Sequence, residues 1–353
     1  MMATGKYRDL VTSYAEDLQL FRTNVRKFWF VALVLGLAAL PWAGQALGGN
    51  YLLYLLNLTA IGVIVALGMN LLLGCAGLIS LGHAAFVAVG AYTAAILAER
   101  LAFPFWMTIT FSGAFTGLIG VVVGLPALRI KGLYLALATL AFQFIAEHVI
   151  THWESMTGGS NGMAVSQPAL GDFIFDTDLR FYYIVAPIAL LLGLGMANLL
   201  RTRFGRALIA LRDSDVAAEA VGVNLARYKT LAFGLSATYA GVAGSLLAHY
   251  LGYVGPDHFS VLLSVEYVVM VIVGGLGSIL GAVLGAAFIT LLPEGMRFIE
   301  ELLRTFFPGM IFPDLRSLIM GAVLILFIAF EPEGLAGRWR KICEYWTTWP
   351  FSK

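Results

Sequence analysis

Chemistry within an apolar chain needs ionisable groups that converge, and this sequence supplies few of them. Inside its long apolar runs the polar residues are Asn57, Asn70, His83 and Gln143, with Glu147, His148, His249 and Glu266 nearer the run ends. None of these has the spacing of a metal site or of a nucleophile beside its base. Glu147, His148 and His152 share a helix end, where a solvated rim is a simpler account than a ligand set. His83, in Ser80-Leu-Gly-His83, is the one deep ionisable residue. It suits a hydrogen-bonded structural histidine or, as the sharper alternative, a contact on a solute path. No central carboxylate marks a proton relay, and no Gly-x-x-x-x-Gly-Lys-[Ser/Thr] phosphate loop occurs. Catalysis, a cofactor and a metal site are therefore not expected, and an energy source must lie in a partner.

The elements around these residues are membrane elements. The chain of 353 residues is 60% hydrophobic and 12% charged, with a mean hydropathy of +0.86, about half the charge of a soluble domain. The expected fold is an all-α polytopic transmembrane helical bundle of about 8–10 segments, some broken at glycines. Runs of spanning length cover 28–47, 51–73, 77–97, 104–128, 132–152, 181–200 and 230–249. The apolar stretch 261–292 is too long for one untilted helix and is expected to turn near Gly277. An interfacial helix is expected over 293–313, and a last span over 315–330. A leader, 1–27, carries Leu10, Tyr14, Leu18 and Phe21 at helical spacing, as a helix on the membrane surface would; an ordinary solvated tail explains it equally. Residues 28–335 form the membrane domain and 336–353 a basic tail. Cys75 and Cys343 are too far apart in sequence and setting for a metal pair or a disulfide framework, and both are expected to be free thiols.

One stretch breaks the pattern. Residues 201–229 hold six basic side chains (Arg201, Arg203, Arg206, Arg212, Arg227, Lys229) against three acidic ones (Asp213, Asp215, Glu219), too polar to cross and sited on the cytoplasmic side by charge. Arg129 and Lys131, the leader and the tail agree, which puts both termini inside and the loop 153–180, with Glu154, Asp172, Asp176 and Asp178, outside. Within the island Asp213, Ser214 and Asp215 can cap a two-turn helix over 216–221, Gly222 can stop it, and Asn224 can cap the next. Val216, Ala217, Ala220 and Val221 give that helix a small apolar face. Such a knob fits a groove on another protein; a solvated loop helix is the plainer alternative.

Two glycine-rich breaks echo each other. Gly74-Cys-Ala-Gly77, followed by Gly82 and Gly90, is matched by Gly274-Gly-Leu-Gly277, followed by Gly281 and Gly285. Paired interrupted segments point to a substrate path, while small residues also serve plain helix packing, and the pattern alone allows both.

The sequence resembles the LivM-type permeases of branched-chain amino acid ABC importers. The matching stretches are Gly68 to Phe86, Gly132-Leu-Tyr-Leu-Ala-Leu-Ala-Thr-Leu140, Thr157-Gly-Gly-Ser-Asn-Gly162, Arg203-Phe-Gly-Arg-Ala207 through Gly222-Val-Asn224, and Val273-Gly-Gly-Leu-Gly-Ser278. The resemblance implies a bacterial inner-membrane subunit working with a LivH-like permease, two ATP-binding subunits and a periplasmic solute-binding protein, in contact with lipid and not with nucleic acid. It implies that the island couples to an ATPase through Arg206, Arg212, Asp213, Asp215, Ala218, Glu219, Ala220 and Gly222. There Ala217-Ala-Glu-Ala-Val-Gly222 stands where ABC permeases carry a degenerate Glu-Ala-Ala…Gly motif; only Glu219-Ala220 and Gly222 match, with a shorter spacing. A translocation path or hinge would use Gly74, Gly77, Ser80, His83, Gly274, Gly275, Gly277 and Gly281. Docking of the binding protein would use Thr157, Gly158, Gly159, Ser160, Asn161 and Gly162. Permeases for urea and for aromatic acids or amides are similar, and an ion-coupled secondary carrier is the alternative of another class.

Overall fold

In lipid each backbone N–H and C=O must find its partner within the protein, and helices meet that need segment by segment. The computed structural model describes residues 24–126, 130, 132–170, 173–306, 321–322, 325–327, 329–331 and 333–348, and these are mostly helical. In chain order the helices are α1 (Asn24–Met69), α2 (His83–Leu101), α3 (Phe105–Gly124), α4 (Leu133–His152), the short α5 (Glu154–Thr157), α6 (Asp178–Arg201), α7 (Arg203–Asp213), α8 (Asp215–Ala220), α9 (Leu225–Leu251), α10 (Val261–Gly274), α11 (Ile279–Phe306) and α12 (Gly334–Thr348). Four two-residue strands form two antiparallel pairs: β1 (Met163–Ala164) with β4 (Tyr253–Val254), and β2 (Ala169–Leu170) with β3 (Phe173–Ile174).

Among the described residues nine helices are long and apolar enough to span a membrane. They correspond to the first nine expected spans. α1 holds two of them, Lys27–Gln45 and Gly49–Cys75, with non-helical backbone at Gly49 between. The expected last span lies largely outside the described residues, as do the leader segment 10–21, Arg129, Lys131, Asp172 and residues 307–313.

Two expectations change, and one gains detail. The third span starts at His83 and not at Gly77, because residues 76–82 run without regular structure into the bundle. Pro293 does not begin a new interfacial helix; α11 continues through it to Phe306, since a proline removes one hydrogen bond without obliging the chain to stop. The basic tail is helical over α12, whose start packs on the second glycine break: a Cβ on Gly334 would lie 2.6 Å from the Gly275 nitrogen. Just before it, the Arg338 guanidinium hydrogen-bonded to Glu331 holds that carboxyl below its usual range.

α9 runs through the centre, packed between α2 and α3. Small residues let the backbones touch: Gly90 on α2 meets Gly241 on α9, where an added Cβ would lie 2.4 Å from the Gly241 carbonyl oxygen. Phe86 of α2 and Phe233 of α9 are fully buried, as is Phe181 of α6, which stacks on Tyr250 of α9, whereas Phe111, Phe115, Leu118 and Val122 of α3 are exposed as a lipid-facing stripe. Pro41 illustrates how freed groups are met. It cannot bond back to the Leu37 carbonyl, and the Tyr182 hydroxyl donates to that oxygen at 3.1 Å.

Candidate functional site at the glycine junction

The two glycine breaks, some 200 residues apart in sequence, meet in space. Gly74, in the π-helical turn Asn70–Cys75 that ends the second span, is so close to Gly277 that a Cβ on it would lie 2.3 Å from the Gly277 nitrogen and 2.2 Å from Asn70 Oδ1. Asn70 stitches the pair: its Oδ1 accepts from the Gly277 N–H at 2.8 Å and its Nδ2 donates to the Ser278 carbonyl at 3.1 Å. Gly77 and Gly277 have positive φ, +69° and +76°, so each needs glycine for its turn as well as for space. Asn70 was absent from the expected site; its signal in the sequence was an amide inside an apolar run, four residues before a glycine break.

The polar island reaches this junction through α7. Gly205 makes the corner out of α6, since a Cβ there would lie 2.3 Å from Leu200 backbone, and Ala207, Leu208 and Leu211 bury the inner face of α7. At its end Arg212 turns inward. Its Nη1 donates to the Gly74 carbonyl at 3.0 Å, its stem packs on Gly77, and Nε and Nη2 both bond Asp213 Oδ1 at 3.2 Å. One side chain of the island thus clasps a carbonyl of the first break beside the Asn70 link to the second.

Beyond Arg212 the local chemistry is as the spacing predicts. Ser214, of the three candidate caps, accepts from the Ala217 N–H at 3.3 Å; Asp215 is instead drawn to Lys229 Nζ at 3.1 Å in a nearly buried ion pair. Gly222 at φ +87° closes α8 with a Schellman pair, Val223 N–H to Ala218 O and Gly222 N–H to Glu219 O, and Asn224 caps α9 through the Arg227 N–H. The result is a fixed knob. Val216 and Val221 are 75% and 79% exposed at its tip, with Glu219, Ala220 and Gly222 beside them. Ala218 is buried, so it anchors the knob and presents nothing outward. Arg206 lies exposed on α7 and bonds the Arg201 carbonyl.

Ser80 and His83 sit apart from this junction, in the irregular entry to α2. That entry is tied down elsewhere, by the Leu81 N–H to Thr139 Oγ1 and the Ala84 N–H to Ser264 Oγ. His83 is wholly buried between the rings of Phe86 and Tyr267 with the Val65 carbonyl facing it, yet neither ring nitrogen nor Ser80 Oγ makes a hydrogen bond among the described residues. Gly275 and Gly281 pack on each other across the turn between α10 and α11, as Gly274 does on Gly281.

At the opposite end of the bundle the segment from Thr157 to Gly162 is not a loose glycine loop. Thr157 is buried and its hydroxyl donates to the Ile150 and Trp153 carbonyls. Gly158, Gly159 and Gly162 hold φ of +75°, +60° and +63°, and a Cβ on Gly162 would lie 2.3 Å from the Val254 carbonyl in β4. Only Ser160 and Asn161 of the six face outward. Among the described residues no cluster has the makings of a metal site, and Cys75 is buried while Cys343 is exposed, both free.

Residues 51–328 match the model of a family described as the permease component of branched-chain amino acid transport systems. The chain belongs to that family. The permease is 31% identical to the high-affinity branched-chain amino acid transport system permease protein LivM of Escherichia coli over 337 residues, covering 89% of this chain and 75% of the relative. It is also 24% identical to the permease protein LivH of Salmonella typhimurium over 84% of its length and 94% of the relative's. A shorter match, 33% over 51% of the chain and 50% of the relative, is to the autoinducer 2 import system permease protein LsrC of Klebsiella pneumoniae. No solved structure matches. The permease is thus a multi-pass membrane transport component, all-α in fold.

Proposed function

We propose that this permease is one of two membrane subunits of an inner-membrane importer that carries branched-chain amino acids, or closely related small solutes, inward on energy from separate ATP-binding subunits. The second subunit is a LivH-like permease, and a periplasmic binding protein delivers the solute near Ser160 and Asn161. Both termini and the island lie on the cytoplasmic side, in keeping with their basic residues.

The observation that carries the reading is the continuity from knob to glycine junction. Val216, Glu219, Ala220, Val221 and Gly222 present a small surface of the size that seats in a groove, and Arg212, at the root of that knob, holds the Gly74 carbonyl. An ATPase that grips the knob differently with and without ATP shifts α7 and α8, and Arg212 hands that shift to the junction where four spans turn. Energy enters at the island, and access changes at the breaks.

Reconstitution tests this. The chain, with its partner permease, ATPases and binding protein in proteoliposomes, takes up labelled leucine only with ATP inside. Charge reversal at Glu219 with arginine at Val221 abolishes ATPase binding and uptake together. Uptake by this chain alone on an ion gradient would replace the reading with that of a secondary carrier, and labelled urea or benzoate taken up in place of leucine would replace the solute.

A further inference from the structure

A second feature lies above the junction, toward the end of the bundle that carries β1 and β4. The second span of α1, α9, α10 and α11 enclose an open groove of about 400 Å³, inside the range of about 300–1,000 Å³ common for small-molecule sites. Its lining is divided. Leu58, Ile61, Met270 and Ile289 are among its apolar residues, while Glu266, Glu294 and the tyrosines Tyr51, Tyr54 and Tyr267 bring polar groups. Glu266 is a carboxylate five residues into a membrane helix, only 8% exposed, and it faces this groove. An ionisable side chain is rare within a membrane helix and marks a polar path or cavity, and this one lies on the groove wall. Tyr267 and Val65 form the inner wall, with the buried His83 packed behind Tyr267.

We propose that this groove is the solute site of the permease, taking a small zwitterion with its ammonium group at Glu266 and its apolar side chain against Ile61, Met270 and Ile289. This deepens the importer reading and rests on it. The groove also ends near the junction: Val65 is five residues, about 7.5 Å of helix, before Asn70 in the second span, and Met270 is four before Gly274. A shift at the clasp therefore moves the walls of the site.

The test uses the complete importer in proteoliposomes. Leu58→Cys, in a chain with Cys343→Ser, is labelled by an impermeant thiol reagent from the groove side. Leucine in excess slows that labelling, 4-methylpentanoate, which lacks the ammonium, does not, and Glu266→Gln removes the protection by leucine. In uptake, Glu266→Gln and the groove-filling Met270→Trp each lose about tenfold or more, whereas Phe115→Trp on the lipid stripe is unchanged. All four variants keep the ATPases bound. Labelling of Leu58→Cys indifferent to leucine, or normal uptake by both groove variants in an assembled complex, overturns the proposal while leaving the importer reading in place. An unmodified chain that binds no ATPase overturns both, and that outcome is visible before any variant is made.

Discussion

At the scale of single residues the junction is defined by groups that have no room to be anything else. Gly74→Ala places a methyl on top of Asn70 Oδ1 and the Gly277 nitrogen, so something must move. The expected outcome is an importer that assembles and hydrolyses ATP but takes up solute at a small fraction of the normal rate, read by uptake and phosphate release on one preparation. Asn70→Leu leaves the Gly277 N–H unpaired, a loss of about 1–3 kcal/mol, while the Ser278 carbonyl keeps the Ala282 N–H at 3.0 Å. It should lower the unfolding temperature of the purified complex, and an unchanged melt would show that the stitch contributes nothing. Arg212→Ala should separate hydrolysis from uptake, while Arg212→Lys restores charge but not the fork that reaches Gly74 and Asp213 together. Ser214, Gly222 and Asn224 were legible in the sequence because capping depends on neighbours within four positions. The bond from Arg212 to Gly74 was not, because 138 residues separate the partners and nothing local records which carbonyl an arginine will find.

At the scale of elements, α8 is held by one ion pair and one buried methyl. Lys229 and Asp215 have side chains only 4% and 19% exposed, and removing one partner of a buried pair costs about 3–5 kcal/mol because the other charge is stranded. Lys229→Met should therefore loosen the knob, seen as faster amide exchange and proteolytic nicking between residues 214 and 224. Lys229→Met combined with Asp215→Leu should recover much of the protection, and failure to recover would mean that the pair does more than neutralise itself. The sequence foretold the two-turn helix but not its companion: α7 is a separate amphipathic helix of eleven residues, hidden in the sequence because Arg201, Arg203, Arg206 and Arg212 draw attention to the charge and not to Ala207, Leu208 and Leu211 beneath it. The glycines of 157–162 carry the same lesson, since their positive φ values fix a tight turn against β4. A glycine in sequence says that a side chain is absent and leaves open whether freedom or contact is the reason.

At the scale of the whole molecule, apolar run length was enough to place nine spans, since lipid thickness dictates helix length. It could not say which helix is central, because α9 and the peripheral first span of α1 are nearly equal in mean hydropathy, 1.5 and 1.6; burial of α9 comes from Gly241 and Gly244 matching Gly90 and Val87 across the interface. The two ends of the bundle are built oppositely. One end carries the knob, the clasp and α12, and the other carries β1 paired to β4, which ties the 153–180 loop to the turn after α9. Gly162→Ala should break that tie by pushing on the Val254 carbonyl, and the expected result is an importer with normal hydrolysis in the absence of binding protein but weakened stimulation when the loaded binding protein is added.

The contact between Gly74 and Gly277 also governs how the sequence can drift. Most tight contacts leave an escape, in which one partner shrinks when the other grows. Here both partners already lack a side chain, so neither can yield, and the two positions are frozen separately instead of trading volume. Suppressors of Gly74→Ala selected for growth on the transported solute should arise at a third position, with Asn70 the first expected, because its Oδ1 is the only other atom at the collision that belongs to a replaceable side chain among those nearest.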